Sequence, residues 1–170
     1  MTEGPRFQPA ELVRRLVAAD VRFVVIGGLA TQAHGSPSAT FDLDIVAAWD
    51  LPNLRRLETV LLEIAAVRHG LDPDAPPMPP LDARTLFAAA GFTLNSRYGR
   101  VDLLANPDPG FDYERLMRTA ETRELFGSRL HVASLDDLMA MKRAAGRPKD
   151  RVELEILGAL REEIDRSEDR

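Results

Sequence analysis

The stretch Val24-Val25-Ile26-Gly27-Gly28-Leu29-Ala30-Thr31-Gln32-Ala33-His34-Gly35-Ser36-Pro37-Ser38-Ala39-Thr40-Phe41-Asp42-Leu43-Asp44-Ile45-Val46 organises the rest of the chain. Arg22 to Ile26 is short, β-branched and continuously apolar before a glycine pair, which predicts a strand buried on both faces. Leu29 to Ala33 predicts a helix of barely two turns, with His34 at its end, Gly35 as its stop and Ser36-Pro37-Ser38 as a turn. Thr40 to Ala47 predicts a second strand, with Phe41, Leu43 and Ile45 alternating against Asp42 and Asp44. Residues two apart in a strand share a face, at roughly 6.5–7 Å along the backbone, so both carboxylates can aim at one point.

Working outward, Leu12, Val13, Leu16 and Val17 recur at helical spacing and predict a one-faced helix over Pro9–Asp20. Downstream, Asp50 or Pro52 opens a longer helix with Leu54, Leu57, Leu61 and Ile64 on one stripe, expected to end near His69-Gly70. Residues 71–80 hold five prolines and predict a stiff loop that is a candidate wall of a cleft. Leu81–Ala90 predicts a helix. Phe92–Asn95 and Arg100–Ala105 predict a hairpin through Ser96-Arg97-Tyr98-Gly99, and it carries Asp102. Asn106–Gly110 predicts a turn, Tyr113–Thr119 a short helix and Glu124–Ala133 extended chain around Gly127-Ser128. Ser134 caps a helix through Ala145, and Gly146 and Pro148 separate it from a last helix bearing Val152, Ile156, Leu157, Leu160 and Ile164. A charged tail, 165–170, is expected to fray.

These elements predict one domain over 1–170, with a core at about 20–133 and a helical part at about 134–165. The 170 residues are 45% hydrophobic and 29% charged, enough for a sizeable core. No apolar run is long enough for a membrane span and the start resembles no secretory signal, so a cytoplasmic location is expected. With no cysteine, thiolate–metal sites are excluded and any metal must use oxygen or histidine ligands. A formal net charge of −5 argues against a broad sequence-independent grip on nucleic acid.

The candidate chemistry is acidic. Asp42 and Asp44 read either as ligands of a hard divalent cation, for which magnesium is the natural choice, or as a pair facing water. Asp102 adds a third carboxylate in an apolar strand, and three can hold two metals, which suits in-line displacement at phosphorus; the plain reading is a strand-edge charge. Gly27-Gly28 either makes room for a tight turn or lets backbone approach a triphosphate; with no third glycine and no Gly-Lys-Ser/Thr, it is neither a dinucleotide fingerprint nor a P-loop. Lys142 falls on the stripe of Leu135, Leu138 and Met139, so it points inward toward an anion: Asp150 in a salt bridge, or a nucleotide phosphate. Lys142, Arg143, Arg147, Lys149 and Arg151 form a local basic patch. His34 reads as a helix-end residue.

Gly27-Gly28, thirteen residues, then Asp42-Leu43-Asp44, with Asp102 on a later strand, resembles the nucleotidyltransferase superfamily that includes DNA polymerase β. Ile26–Ala30, His34–Pro37, Thr40–Ile45, Tyr98–Leu104 and Leu138–Asp150 are similar to small bacterial nucleotidyltransferases of the abortive-infection and toxin–antitoxin kind. Gly28 stands where many members have serine, and Ser38 where relatives often have a basic residue. The resemblance implies an α/β (α+β) fold with a mixed sheet flanked by helices and a C-terminal helical pair. It implies Asp42, Asp44 and Asp102 as catalytic ligands of two magnesium ions, Asp102 also activating the incoming hydroxyl. Gly27, Gly28, Thr40 and Lys142 would contact the nucleoside triphosphate, with ATP the leading choice. The acceptor would be an RNA end such as tRNA, a protein hydroxyl or a small molecule, and the partner a cognate antitoxin. The alternatives are a catalytically silent binding module of the same fold, acting through protein or RNA partners, and an RNA-end binder using the patch around Arg147.

Overall fold

The structure, a computed structural model, describes residues 5–71, 74 and 76–169. Residues 72, 73 and 75 of the expected proline loop, most of the leader read for a signal and Arg170 lie outside them. In chain order the elements are α1 (Pro9–Ala18), β1 (Phe23–Ile26), α2 (Gly27–Ala33), β2 (Asp42–Ala47), α3 (Leu51–Glu63), β3 (Val67–Arg68), α4 (Ala83–Phe87), β4 (Gly91–Ser96), β5 (Gly99–Leu104), α5 (Tyr113–Met117), β6 (Glu121–Leu125), β7 (Ser128–Val132), α6 (Leu135–Ala145) and α7 (Pro148–Glu168).

The seven strands form one sheet in the order β3-β4-β5-β2-β1-β7-β6. It is mixed: β2 runs antiparallel to β1 but parallel to β5, and β1 runs parallel to β7. Every residue of β1 is buried, as its unbroken apolar run requires. Leu43 and Ile45 of β2, Leu103 of β5 and Leu54 and Leu57 of α3 belong to the fully buried core. Beside them, α2 packs against β1, β2 and α6, and α6 against α7.

Local signals placed most elements within a residue or two. Ser134 accepts the Asp137 amide at 3.2 Å, and Gly146 ends α6 in the left-handed conformation at φ +62°. Four expectations need correction. The helix expected to reach His69-Gly70 ends at Glu63; Ala65 takes φ +52° and the chain turns back to pair Val67 with Asn95 and Arg68 with Leu94. Backbone pairing at the sheet edge thus outweighs helical continuation, a competition no local pattern reveals. The helix at Leu81–Ala90 shortens to α4, because Asp82 caps it by accepting the Thr85 amide at 2.8 Å and Gly91 already belongs to β4. The hairpin loop contracts to Arg97-Tyr98, since Ser96 pairs with Gly99 and donates its hydroxyl to the Gly99 carbonyl at 2.7 Å. The tail does not fray from 165; α7 continues to Glu168.

Asn53 ties the strand ends to α3. Fully buried, it accepts the Arg22 amide at 2.8 Å and donates to the Arg22 and Ala48 carbonyls at 3.0 and 2.9 Å. Asn53→Ala should cost about 1–3 kcal/mol for each backbone group left unsatisfied. Urea unfolding checks this; a midpoint equal to that of the parent would mean these bonds contribute nothing net.

Candidate active site

The β2–β5 register decides the site. In these parallel strands Asp44 lies directly opposite Asp102, and Asp42 opposite Arg100. Asp42, Asp44 and Asp102 each offer a carboxylate oxygen, and these three atoms all lie within 4.8 Å of one another. Spacing alone put Asp42 and Asp44 on one face; the neighbouring strand brings in the third carboxylate.

Little offsets the resulting negative charge. Arg100 reaches Asp102 at 3.5 Å, and the Thr40 hydroxyl donates to Asp42 at 3.1 Å, while the buried Oδ1 of Asp102 has no hydrogen-bond partner among the described residues. The Asp44 carboxyl is pushed up from 3.8 to about 7, first by burial and then by the charges of Asp42 and Asp102. An orphaned buried acceptor beside two further hard oxygen donors fits a divalent cation, which would neutralise the cluster and satisfy that oxygen.

A folded-state pKa above the unfolded one means folding takes up a proton. The stability Asp44 contributes is therefore fully present below pH 3.8 and is lost as pH rises through about 7. The metal-free protein should show a falling Tm between about pH 5 and pH 8. Asp44→Asn should flatten that slope, and magnesium should raise Tm most at the alkaline end, where it displaces no proton. Identical slopes for parent and variant would disprove the assignment.

The glycine pair is explained by what stands beside it. A Cβ on Gly27, whose φ is +64°, would fall 2.1 Å from Asp44 Oδ2, and one on Gly28 would fall 2.5 Å from the Thr40 hydroxyl oxygen. Backbone at Gly27 and Gly28 thus runs directly against the acidic strand and its threonine. The helix includes both glycines, starting at Gly27, two residues earlier than expected, and is only seven residues long.

A cleft of about 670 Å³ opens over Asp44 and Asp102, while Asp42, Gly28 and Thr40 stand outside its lining. Gly27, Asp44 and Asp102 form one side, and Leu138, Met141, Lys142 and Arg147 face them from α6 and the turn before α7. Lys142 points inward as its stripe predicts, and the expected Asp150 ion pair is joined by a second carboxylate. Asp150 lies 4.0 Å away, whereas Glu153 accepts a direct hydrogen bond from its ammonium. Asp150 is engaged by Arg147, whose backbone amide and Nε donate to it at 3.0 and 2.9 Å, and that contact holds its carboxyl below the usual range. Burial lowers the Lys142 ammonium, with Asp150 opposing.

Sequence reasoning missed Glu153 and Arg100, and also Phe92, Thr93, Asn106, Pro107 and Asp108, which line the cleft. Only the position of Arg100, two residues before Asp102 on the same strand, could have flagged it, since the others meet the site through tertiary packing. The proline loop lines a different place: Met78, Pro79 and Pro80 wall a groove of about 370 Å³ against α3 and β3. His34 is a buried helix end, its Nε2 2.9 Å from the Ala133 carbonyl.

No protein-family model and no curated protein matches the sequence. Solved structures do. TM1012 of Thermotoga maritima, assigned to the nucleotidyltransferases, superposes with TM-score 0.56 at 18% identity, over 95% of this chain and 97% of its own. The lincosamide antibiotic adenylyltransferase LnuA, solved with lincomycin bound, gives TM-score 0.59 at 14% identity, over 91% of this chain and 99% of its own. The fold is the nucleotidyltransferase fold. The antibiotic-resistance factor ANT(2'')-Ia shares it, with TM-score 0.54 at 12% identity, covering 94% and 92% of the two chains. Within that fold, the strands bearing Asp44 and Asp102, the helix bearing Lys142 and the turn bearing Arg147 enclose the cleft. Among the described residues no helix is long and apolar enough to cross a membrane.

Proposed function

We propose that this protein is a magnesium-dependent nucleotidyltransferase that moves a nucleoside monophosphate from a nucleoside triphosphate, ATP first among them, to a hydroxyl acceptor. The observation that carries the reading is the meeting of Asp42, Asp44 and Asp102 from two adjacent strands, with a buried unpartnered oxygen, across a cleft from Lys142 and Arg147. The acceptor oxygen forms a bond to the α-phosphorus, the bond from that phosphorus to the bridging oxygen breaks, and pyrophosphate leaves.

Asp42, Asp44 and Asp102 would hold two magnesium ions, which when bound supply positive charge against the attacking and leaving oxygens. Asp102 takes the proton of the acceptor hydroxyl at Oδ2, the oxygen 3.5 Å from Arg100, which leaves the buried Oδ1 to the metal. Gly27 and Gly28 let Asp44 and Thr40 sit against bare backbone beside the phosphate site, Thr40 orients Asp42, and Lys142 and Arg147 bind the anionic tail from the far wall. The apolar surfaces of Phe92, Leu138 and Met141 exclude water around the reacting groups.

Two neighbours bear on nucleotide and acceptor. LnuA is an adenylyltransferase acting on an antibiotic, and ANT(2'')-Ia has been solved with adenylyl-2''-tobramycin. They favour ATP and a small-molecule hydroxyl over an RNA end or a protein side chain. The motif resemblance to toxin–antitoxin and abortive-infection enzymes favours a cytoplasmic role with a cognate antitoxin.

Calorimetry with magnesium and ATP tests binding, and incubation with labelled nucleotides, magnesium and cell extract identifies the fraction that becomes labelled. Magnesium-dependent binding followed by transfer is expected. Binding without transfer would favour the catalytically silent module; full activity in both Asp42→Ala and Asp102→Ala would overturn the assignment.

A further inference from the structure

The ion pairs on the far wall of the cleft divide unequally. Asp150, with its side chain 1% exposed, is fixed by Arg147 through three hydrogen bonds. Glu153 is 38% exposed on its side chain and, among the described residues, pairs with Lys142 alone. Lys142 lines the cleft and Glu153 does not, so the glutamate holds the ammonium from outside the space a ligand would occupy. Lys142 is 14% exposed on its side chain and sits between one fixed and one loosely held carboxylate.

We propose that Glu153 is an affinity-setting counter-ion: it neutralises Lys142 in the free protein, and the polyphosphate of the substrate competes with it for that ammonium. The inference rests on the nucleotide reading of the cleft. An ammonium is a point charge with three rotatable donors on a flexible stem, so it can turn from a carboxylate toward phosphate oxygens without backbone movement. A nucleotide tail outbids a single carboxylate because it carries several charges, but it binds more weakly than it would to an unpaired lysine. Asp150 cannot play this part, since releasing it would leave a buried carboxylate with Arg147 as its sole partner.

Lys142 and Lys149 are the only lysines in the chain, so acylation by an amine-reactive reagent, read by peptide mass spectrometry, compares Lys142 with exposed Lys149 in the same molecule. Glu153→Gln should speed acylation of Lys142 several-fold and leave Lys149 unchanged. Calorimetry should show the variant binding magnesium–ATP about two- to fivefold more tightly, the size of a half-exposed ion pair. Glu155→Gln, which removes a charge from the exposed face of the same helix, should do neither. Unchanged Lys142 reactivity, or weaker nucleotide binding in Glu153→Gln, would overturn the proposal, the latter by showing that the glutamate holds Lys142 ready for substrate. If Glu153→Gln frees Lys142 but magnesium–ATP protects it in neither protein, the nucleotide reading fails and the Lys142–Glu153 pairing is upheld.

Discussion

Asp102→Asn should lower magnesium-dependent nucleotidyl transfer by about two to three orders of magnitude, the loss expected when one preorganised charge at a transition state is removed. The same substitution should leave the metal-free fold as stable as the parent or more stable. Asparagine keeps the shape of the side chain while removing one of the charges that raise the Asp44 carboxyl, and the Arg100 pair it gives up is half-exposed and contributes little. Activity falling while Tm holds or rises is the signature of carboxylates kept for function against their own repulsion. A drop in Tm with activity intact would make them structural. Transfer assays with magnesium and thermal scans without it decide the matter.

Gly27→Ala should strike both fold and site. At φ +64° a side chain costs about 1–2 kcal/mol, which for a chain of this size lowers Tm by about 2–8 °C. The added methyl would also lie 2.1 Å from Asp44 Oδ2, so the carboxylate must move and magnesium affinity should fall at least about tenfold. Gly110→Ala isolates the first effect, because Gly110 has φ +91° and a Cβ there meets nothing within 4 Å among the described residues. Calorimetry with magnesium should show the tenfold loss in Gly27→Ala and none in Gly110→Ala. Equal magnesium affinity in the two variants would show that Asp44 does not depend on the bare backbone at Gly27.

The amphipathic helix at Pro9–Ala18, the buried strand at Phe23–Ile26, the Ser134 cap and the Gly146 stop were all legible as sequence, because each is set by residues within a turn or two of one another. The pairing of Asp42 and Asp44 on one face is equally local, a consequence of the two-residue repeat of a strand. Asp102 was different. Its type and its apolar neighbours were visible, and the family resemblance implied its role, but spacing could not place it opposite Asp44.

Tertiary structure alone decided that placement, since it depends on β5 pairing in parallel with β2 across more than fifty intervening residues. It also decided the turn at Ala65 that ends α3 early, the separate groove walled by the proline loop, and the choice of Glu153 over Asp150 as the direct partner of Lys142. Local propensity specifies which elements form and which way their faces point. Which faces meet, and so how close three carboxylates come and which carboxylate takes the ammonium, is settled by strand register and helix packing, where the chemistry of the site resides.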